Sequence, residues 1–463
     1  MLSVSSTVRC FFLFLFIIAG IALAAQENAP FSRYGLGDVY PAQHIASRGM
    51  GGLSAAFQNL QAINTINPAT YSALQFIDLG KGVKGGLVTY DVGISIDSRT
   101  LRSAVPADKF NSVNFIPSYI QIGIPLNKKL LRSTGIVVGL RPATKINYSV
   151  DEKKRTNIDS MQTIYGGDGG LNQAFIGLGK RWNHFSAGVN FGYEFGQKNI
   201  STKISFLNDS VFYYQSNSTD SAHFGGLFVN PGLFGSIKLK EITNSITKNS
   251  ETYLLNLGAS ATLKQHLEAT KSLNRQTFTY GPSGELVQID SVFKQSGISG
   301  TIEMPLNYTA GFMFTKVIGN AYTSVNKWSF GADYSAVLWE NYRYFGLPDR
   351  INNSWKISVG GEFTPDPLAG KTFFSRTTYR AGFYAGKNYI NADGNGYNEK
   401  ALTLGGSFNL RKFRAYDHQY TLINTAIEIG KRGSAVNNIT ETFFKFSVGL
   451  SLSDLWFISR KYE

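Results

Sequence analysis

The sequence predicts an all-β protein, a transmembrane antiparallel β-barrel of about 14 strands with an N-terminal plug segment. Three observations lead to this prediction. The chain begins with an export signal, its later segments alternate between apolar and polar residues, and no later run approaches the ~18 apolar residues of a membrane helix. The composition agrees, because 34 Phe, 24 Tyr and 48 Gly among 463 residues favour strands over helices.

Residues 1–25 form the predicted signal peptide. An apolar run from Phe11 to Ala24 ends in Ala22-Leu23-Ala24, which fits a small-x-small cleavage site. The alternative, an uncleaved anchor helix, is disfavoured because the run is shorter than the ~20 residues of a membrane span. The single cysteine, Cys10, precedes this run, which argues against a lipoprotein. The mature chain then has no disulfide bond, thiolate nucleophile or cysteine metal site.

Segments of alternating polarity follow from residue 84 onward. In Val88–Ile96 every second residue is apolar, and Phe185–Gly196 and Trp328–Leu338 repeat the pattern. These segments reach the ~10 residues that a tilted transmembrane strand needs. A soluble sandwich also alternates in this way. Here, however, the polar face is rich in Gly, Ser and Asn, which suits a crowded, water-filled lumen.

The number of such segments is about 14, and an even number is what a bacterial single-chain barrel requires. The predicted strands are 84–97, 113–124, 135–150, 171–180, 184–197, 224–239, 252–263, 298–316, 327–339, 354–364, 374–386, 400–410, 419–431 and 442–452. We therefore assign the barrel to 84–452, the plug or hatch to 26–83, and a periplasmic tail to 453–463.

The connections between the predicted strands differ in length. Those after odd-numbered strands are mostly long and those after even-numbered strands mostly short, as for extracellular loops and periplasmic turns. Both chain ends are then expected in the periplasm. The longest connection, 264–297, is expected to carry its own hairpin, because Gly281-Pro282-Ser283-Gly284 is a turn sequence between two strand-forming segments.

Four prolines interrupt the predicted strands: Pro117, Pro142, Pro231 and Pro305. Proline removes a ladder hydrogen bond, so each one indicates a bulge or a gap in the barrel wall, unless a strand end is misplaced. A gap near Pro231 or Pro305 would provide a lateral exit for an apolar ligand.

Two motifs in the predicted plug indicate tight turns. Gly49, Gly51 and Gly52 lack the preceding strand and the final glycine of a dinucleotide site, so we interpret them as turns of the plug backbone. Asn67-Pro68 is a turn that we expect to position the hatch in the lumen.

An aromatic cluster stands at the end of one predicted strand: Trp339, Tyr342, Tyr344 and Phe345. A girdle at the membrane interface accounts for such residues without a ligand. We favour this interpretation over a ligand-capture site.

The charge balance and the scattered histidines exclude several functions. The net charge is +14, which in an exported chain argues against nucleic acid and favours anionic outer-membrane lipid or lipopolysaccharide, with simple loop solvation as the equal alternative. The 5 His residues have no metal-ligand spacing, and no nucleophile or zinc motif occurs. The sequence therefore predicts no metal, no cofactor and no enzymatic activity.

Both ends of the chain resemble the FadL/TodX family of outer-membrane transporters for hydrophobic compounds, in the form found in Bacteroidota. The matching segments are Phe31–Asp38, Arg48–Gly52, Ala55-Ala56, Asn67-Pro68-Ala69, Phe443–Phe446, Asp454–Phe457 and Arg460–Tyr462. The resemblance implies a barrel of about 14 strands and inward passage of fatty acids or aromatic hydrocarbons. It also implies a hatch that contains Arg48, Gly49, Gly51, Gly52, Asn67, Pro68 and Ala69.

Two positions depart from the family pattern. Gln58 and Asn59 stand where family members commonly have an acidic residue, and the chain ends in a charged tail, Lys461-Tyr462-Glu463. The tail is similar to that of Bacteroidota relatives whose roles are often not transport, so the departures leave two functions open.

We expect a FadL-like, porin-like channel of the outer membrane that binds or passes small hydrophobic compounds. The alternative is a plugged barrel that serves as a structural subunit of an outer-membrane complex for protein secretion or assembly. A third class, an outer-membrane enzyme, would need a catalytic set that the sequence does not display.

Overall fold

The computed structural model describes residues 28–457, apart from 75, 79–83, 106, 127–132, 157–158, 208–212, 244–249, 320–323, 369–371, 393, 411–418 and 435. The predicted signal peptide and the last six residues of the predicted tail therefore lie outside the described residues. The strands are β1 Asp38–Val39, β2 Phe76–Asp78, β3 Lys84–Ser103, β4 Asp108–Leu126, β5 Thr134–Arg155, β6 Ser160–Trp182, β7 Phe185–Phe206, β8 Gln215–Thr243, β9 Ser250–Thr262, β10 Gln265–Tyr280, β11 Leu286–Met304, β12 Asn307–Gly319, β13 Ser324–Val337, β14 Arg343–Tyr344, β15 Ser354–Phe363, β16 Thr378–Ala392, β17 Asn395–Leu410, β18 Thr421–Arg432 and β19 Ile439–Trp456. The helices are α1 Ile45–Arg48 and α2 Phe373–Arg376, with 3₁₀ turns at Pro30–Arg33, Pro68–Ala73 and Trp339–Asn341.

The strands form one closed antiparallel barrel. β9 and β10 are two halves of one wall strand, because both pair with β8, and β11 and β12 continue one another in the same way. Without the two- and three-residue strands β1, β2 and β14, the wall has 14 strands, and pairing of β19 with β3 closes it. The predicted fold class is confirmed.

Burial along the wall strands is the reverse of that in a soluble protein. On β7, Phe185, Phe191 and Tyr193 are each more than 45% exposed, whereas Ser186 and Asn190 between them are buried. Polar side chains therefore face the lumen and apolar side chains face outward, where a bilayer replaces water. A soluble sandwich would bury the opposite face.

Most of the predicted long loops are in fact strand. The predicted loop 151–170 is reduced to 156–159, because β5 runs to Arg155 and β6 begins at Ser160. Beyond the bilayer both faces of a strand meet water, so the alternation of polarity ends while the backbone ladder continues. The sequence pattern thus reports the bilayer-crossing part of each strand and not its full length.

The connection 264–297 contains the expected hairpin. β10 and β11 pair along their length, and the turn is closed by a hydrogen bond from the Gly281 amide to the Glu285 carbonyl at 2.8 Å. The hairpin continues the wall beyond the end where the longer connections lie, which we call the loop end. The opposite end, where 183–184 joins β6 to β7, is the turn end.

The first and last described residues lie at different ends of the barrel. The Asn28 side-chain amide donates to the Ser149 carbonyl at 2.7 Å, and Ser149 lies on β5 toward the loop end. Trp456, in contrast, pairs with Gly86 at the turn end. The placement of both termini in the periplasm stays a prediction. In the part of the chain that the structure describes, no helix is long and apolar enough to span a membrane.

An arginine on the outer face tests the membrane orientation of the wall. Leu402 of β17 is 65% exposed, so Leu402→Arg should destabilise the protein in lipid vesicles by about 2–4 kcal/mol. Val436, between β18 and β19, is 71% exposed, and Val436→Arg should change stability by less than about 0.5 kcal/mol. The free energy of unfolding is measured in urea. Equal effects of the two variants would contradict the membrane-facing assignment.

Candidate functional site: the lumenal segment and its cavity

Residues 28–74, here called the lumenal segment, lie against the inward-facing side chains of the wall. The segment contains short turns whose first residues are capped by side chains. His44 caps α1, its Nδ1 accepting from the Ala46 amide at 3.0 Å. Asn67 caps the next turn in the same manner, its side chain accepting from the Ala69 amide at 3.2 Å, with Pro68 in the first turn position.

The glycine motif packs directly on the backbone of the wall. Gly51 and Gly52 have φ of +78° and +82°, a conformation that favours glycine. A Cβ on Gly49 would lie 2.8 Å from Gly405 Cα, and one on Gly51 would lie 3.0 Å from the Val359 carbonyl. The motif therefore makes turns in close contact with β15 and β17, which agrees with its interpretation as structural.

Asn67 joins the lumenal segment to the wall. Its side-chain amide donates to the carbonyls of Ala55 at 2.7 Å and Leu233 at 2.8 Å. Wall glycines create the space for this turn, because a Cβ on Gly188 would lie 2.4 Å from Pro68 and one on Gly232 would lie 2.2 Å from Asn67. Glycine on the inner face of the strands is the sequence signal for this contact.

Arg48 forms a buried ion pair with the wall. Its Nε lies 2.8 Å from Glu428 Oε1 on β18, its Nη1 lies 2.9 Å from Ser95 Oγ on β3, and its side chain is 4% exposed. The loss of one partner from such a pair leaves an uncompensated buried charge. Arg48 thus connects α1 to strands that come from opposite ends of the sequence.

Asp38 of β1 forms a second buried charge cluster. It contacts Arg99 of β3 and accepts from Arg432 Nη1 of β18 at 3.3 Å, while Arg432 Nε also lies 3.1 Å from Glu399. Burial alone would raise the pKa of the Asp38 carboxyl, but the charges of Arg99 and Arg432 outweigh burial and hold this pKa well below its ordinary value. Asp38 is therefore ionised at neutral pH and fixes the start of the segment.

His44 and Asp91 make a third contact between the segment and the wall. His44 Nε2 lies 2.8 Å from Asp91 Oδ2, and neither side chain is exposed. Because His44 Nδ1 already accepts a hydrogen bond, Nε2 carries the proton and faces the carboxylate. Asp91 also accepts from Ser451 Oγ at 2.8 Å, so the contact belongs to a wider polar network.

A cavity of about 330 Å³ is lined by residues of the lumenal segment and by residues of the wall. Its volume is at the lower end of the ~300–1,000 Å³ typical of ligand sites. The charged lining residues are Asp38, Arg48, Arg141, Glu194, Lys356, Lys387, Glu399, Glu428, Arg432 and Lys445. The larger apolar ones are Val39, Tyr40, Ile66, Leu171, Met304, Val337, Trp339, Trp355, Tyr384 and Tyr389.

On one side the cavity reaches the wall itself. The consecutive residues Ser335, Ala336 and Val337 of β13 all line it, although their side chains alternate between the two faces of the strand. The cavity therefore reaches the backbone of the wall beside the junction of β11 and β12.

Pro305 lies at that junction, and the ladder is interrupted there. β11 ends at Met304 and β12 begins at Asn307. Pro231 pairs with Val189 on one side, while on its other side β8 passes from pairing with β10 to pairing with β9. Between these two stretches of pairing, one hydrogen bond of 3.1 Å still runs from the Leu263 amide to the Val229 carbonyl.

The longest break in the described wall is between β4 and β5, beside two of the prolines that indicated a bulge or a gap, Pro117 and Pro142. These strands pair only from Ile120 with Leu140 to Leu126 with Thr134. Beyond that, β5 pairs with the lumenal segment, as β1 opposite Thr144 and Lys145. Pro117 and Pro142 flank this break, each beside a register shift, and together they were the available signal.

The predicted aromatic girdle is wrong for two of its members. Trp339 is 6% exposed and Tyr342 is 1% exposed. Both belong to an apolar cluster with Phe31 and Leu36 of the lumenal segment. A 3₁₀ turn follows β13 and directs these rings away from the bilayer, a reversal that the sequence alternation did not reveal.

The family model of BamG matches residues 7–463. The chain belongs to the BamG family. A search of curated proteins found no match. The match covers nearly the whole chain, so it applies to the lumenal segment as well as to the wall.

Three solved structures share the fold of this BamG-family chain. The CymD monoaromatic hydrocarbon channel has a TM-score of 0.50 at 14% identity and covers 91% of this chain and 99% of its own. The Ralstonia pickettii toluene transporter TbuX has a TM-score of 0.50 at 14% identity, and the match covers 88% of this chain and 97% of TbuX. A Pseudomonas aeruginosa FadL homologue has a TM-score of 0.52 at 14% identity, and the match covers 90% of this chain and 98% of the homologue. At this identity the likeness shows a FadL-type fold alone.

No metal site occurs among the residues described. No group of three or more His, Asp or Glu side chains in those residues is placed to hold an ion. Several carboxylates of the lumen are instead paired with arginine, with a hydroxyl group of the wall or with backbone amides of the segment.

Replacement of Arg48 should loosen the lumenal segment. Arg48→Met leaves Glu428 buried without its partner and should lower the free energy of unfolding by about 3–5 kcal/mol. Adding Glu428→Gln should restore part of this loss. Arg33, an exposed arginine of the same segment, is the matched control, and Arg33→Met should change stability by less than about 0.5 kcal/mol. Urea unfolding in vesicles measures all three. Similar losses for Arg33→Met and Arg48→Met would contradict the anchoring role.

Proposed function

We propose that this barrel is an outer-membrane channel of FadL type that binds or passes small hydrophobic compounds, such as fatty acids or aromatic hydrocarbons. The observation that carries the proposal is the cavity that reaches the wall beside the junction of β11 and β12. Met304, Val337 and Trp339 give it an apolar side where it meets the interrupted ladder. An apolar ligand is more stable in such a site than in water, by roughly 25 cal/mol per Å² of buried surface.

We infer that the ligand leaves through a gap in the wall near Pro305 and Pro231. The segment and its ion pairs obstruct a straight path along the barrel axis. Interrupted pairing on both sides of β9 and β10 offers a route with fewer backbone hydrogen bonds to break. A lateral route also delivers an apolar compound into the bilayer, where its solubility is greatest.

The lumenal segment acts as the hatch in this proposal. Arg48 anchors it by charge, Gly49, Gly51 and Gly52 let it approach the wall, and the turn Asn67-Pro68-Ala69 fixes its far end. We assign the hatch to 26–83, the barrel to 84–452 and the C-terminal end of the chain to the periplasm, while Asn28 lies toward the loop end. The origin of the chain in Bacteroidota is part of the same proposal.

Anionic lipid head groups are a further partner that we propose. At the turn end, Lys180 lies 5.4 Å from the ring centre of Trp182, and Lys327 lies 5.5 Å from that of Phe363. Both rings are about half exposed. Lysines held beside outward-facing aromatic rings are placed at the level of phosphate groups in a membrane.

Uptake of a labelled fatty acid or alkylbenzene tests the transport proposal. Cells with the protein should accumulate the label faster than cells without it. Ala336→Trp, which enlarges a residue that lines the cavity at the wall, should reduce uptake to near the level without the protein. Ala332→Trp is the matched control, because Ala332 lies on the same face of β13 outside the cavity lining. Equal uptake with and without the protein would overturn the proposal. Unchanged uptake in Ala336→Trp alone would overturn the lateral route.

A second candidate is a structural subunit of an outer-membrane complex for protein secretion or assembly. Membership of the BamG family favours it, and so does the fixed lumenal segment, which the buried ion pairs of Arg48 and Asp38 and the contact of His44 with Asp91 hold in place. A segment held so firmly suits a barrel that never opens. This role requires partners in the membrane and no ligand in the cavity.

Mild cross-linking followed by affinity purification separates the two candidates. A structural subunit should be recovered in constant stoichiometry with a larger barrel or with lipoproteins. A channel that works alone should be recovered without such partners, and its uptake activity should survive purification and reconstitution. Recovery of the isolated barrel under conditions that preserve known outer-membrane complexes would contradict the subunit role.

A further inference from the structure

Strand β11 has an open edge. One of its edges pairs with β10 along the whole hairpin. β14 covers the other edge only at Ile302 and Glu303. From Leu286 to Gly300, no strand in the described part of the chain pairs with this edge. Its outward backbone amides and carbonyls are therefore available to another strand.

The side chains along this edge are exposed on both faces of the sheet. Val287 is 39% exposed, Ile289 is 44%, Val292 is 70% and Phe293 is 46%. Natural edge strands are commonly protected by proline, by several lysines or by bulges. This edge has no proline and one lysine, Lys294. Three register shifts in its ladder with β10 add twist but cover none of its backbone groups.

The open edge lies outside the bilayer. β12 has 13 residues, which exceeds the ~9–11 residues that cross a bilayer. β11 continues on the far side of Pro305, toward the loop end. The exposed Val292 and Phe293 are more than ten residues beyond this junction, so lipid chains do not cover them. Water-exposed apolar residues beside unpaired backbone groups form a template for strand addition.

We propose that the free edge of β11, Leu286–Gly300, binds an extended segment of a second protein, which adds to the sheet as a further strand. The unpaired backbone groups determine the main-chain hydrogen bonds. Asp290 and Lys294 are the only charges on this edge. The partner segment therefore has a basic residue opposite Asp290, an acidic residue opposite Lys294 and apolar residues opposite Val287 and Ile289.

A second copy in the same membrane does not fit this edge. Antiparallel pairing of the edge with itself relates the two chains by a two-fold axis across the strands, which would invert one barrel relative to the bilayer. Parallel self-pairing would place Asp290 and Lys294 opposite their own copies or opposite neutral residues, so neither charge would have a complementary partner. The occupant is thus an extended segment of a different protein. This inference does not depend on transport of hydrophobic compounds.

Single-cysteine labelling tests whether the edge is covered in the native membrane. The chain has no cysteine after Cys10, so V292C and V436C each introduce one thiol. Val436 is 71% exposed and lies between β18 and β19, also at the loop end. A charged maleimide is applied to open outer membranes and to the purified barrel. The thiol of V292C should react about tenfold more slowly in membranes, as expected for ~90% occupancy. That of V436C should react equally in both. Equal rates for V292C would overturn the proposal.

Hydrogen exchange distinguishes strand addition from side-chain cover. In native membranes, the amides of Leu286–Gly300 should exchange more slowly than in the purified barrel. The double variant Ile289→Lys, Val292→Lys places lysines on the edge and should abolish the difference, while Val436→Lys should not. Protection of the V292C thiol without any protection of these amides would contradict strand addition. None of these variants should alter uptake of a hydrophobic compound, so failure of this inference is separable from failure of the transport proposal.

Discussion

The buried ion pair between Arg48 and Glu428 is the constraint on which the rest of the lumen depends. Removal of two charges from water is costly, and the pair persists because its geometry is close and Ser95 completes it. Asp38, between Arg99 and Arg432, fixes the same segment at a second point. With the segment fixed at both points, the lumen is divided and a bounded cavity forms between the segment and the wall.

The lumenal segment also pairs with one edge of the break in the barrel between β4 and β5. The edge of β5 that β4 leaves unpaired is taken by the lumenal segment, with the Tyr40 amide bonded to the Ala143 carbonyl at 2.9 Å and the Ala29 amide to the Asn147 carbonyl at 2.7 Å. Unpaired backbone groups are expensive inside a bilayer, so the segment stabilises the wall as well as filling the lumen. Removal of the segment would therefore disturb both.

The sequence predicted the wall better than its interior. On β7 the bilayer requires one apolar face, so the alternation of polarity was enough to predict that Phe185 and Phe191 face outward. Beyond the bilayer neither face of a strand has to be apolar, so the sequence showed no alternation from which the extension of β5 to Arg155 could be predicted. The ion pair of Arg48 and Glu428 joins residues 380 positions apart, a contact that no local pattern encodes. Wall glycines such as Gly188 and Gly232 gave an indirect sign, because an inner face that rich in glycine indicates close contact with another segment.

A designed disulfide tests most directly whether the lumenal segment is fixed to the wall. Ser72 of the segment and Ser186 of β7 have their Oγ atoms 3.0 Å apart, and the chain has no cysteine after Cys10. In native membranes, mild oxidation should join the S72C/S186C double variant in most molecules, with no change in its free energy of unfolding after reduction. The thiol of the single variant S72C should stay reduced under the same oxidation. Thiols of the double variant that stay reactive toward a maleimide under the same oxidation would contradict a segment held against the wall.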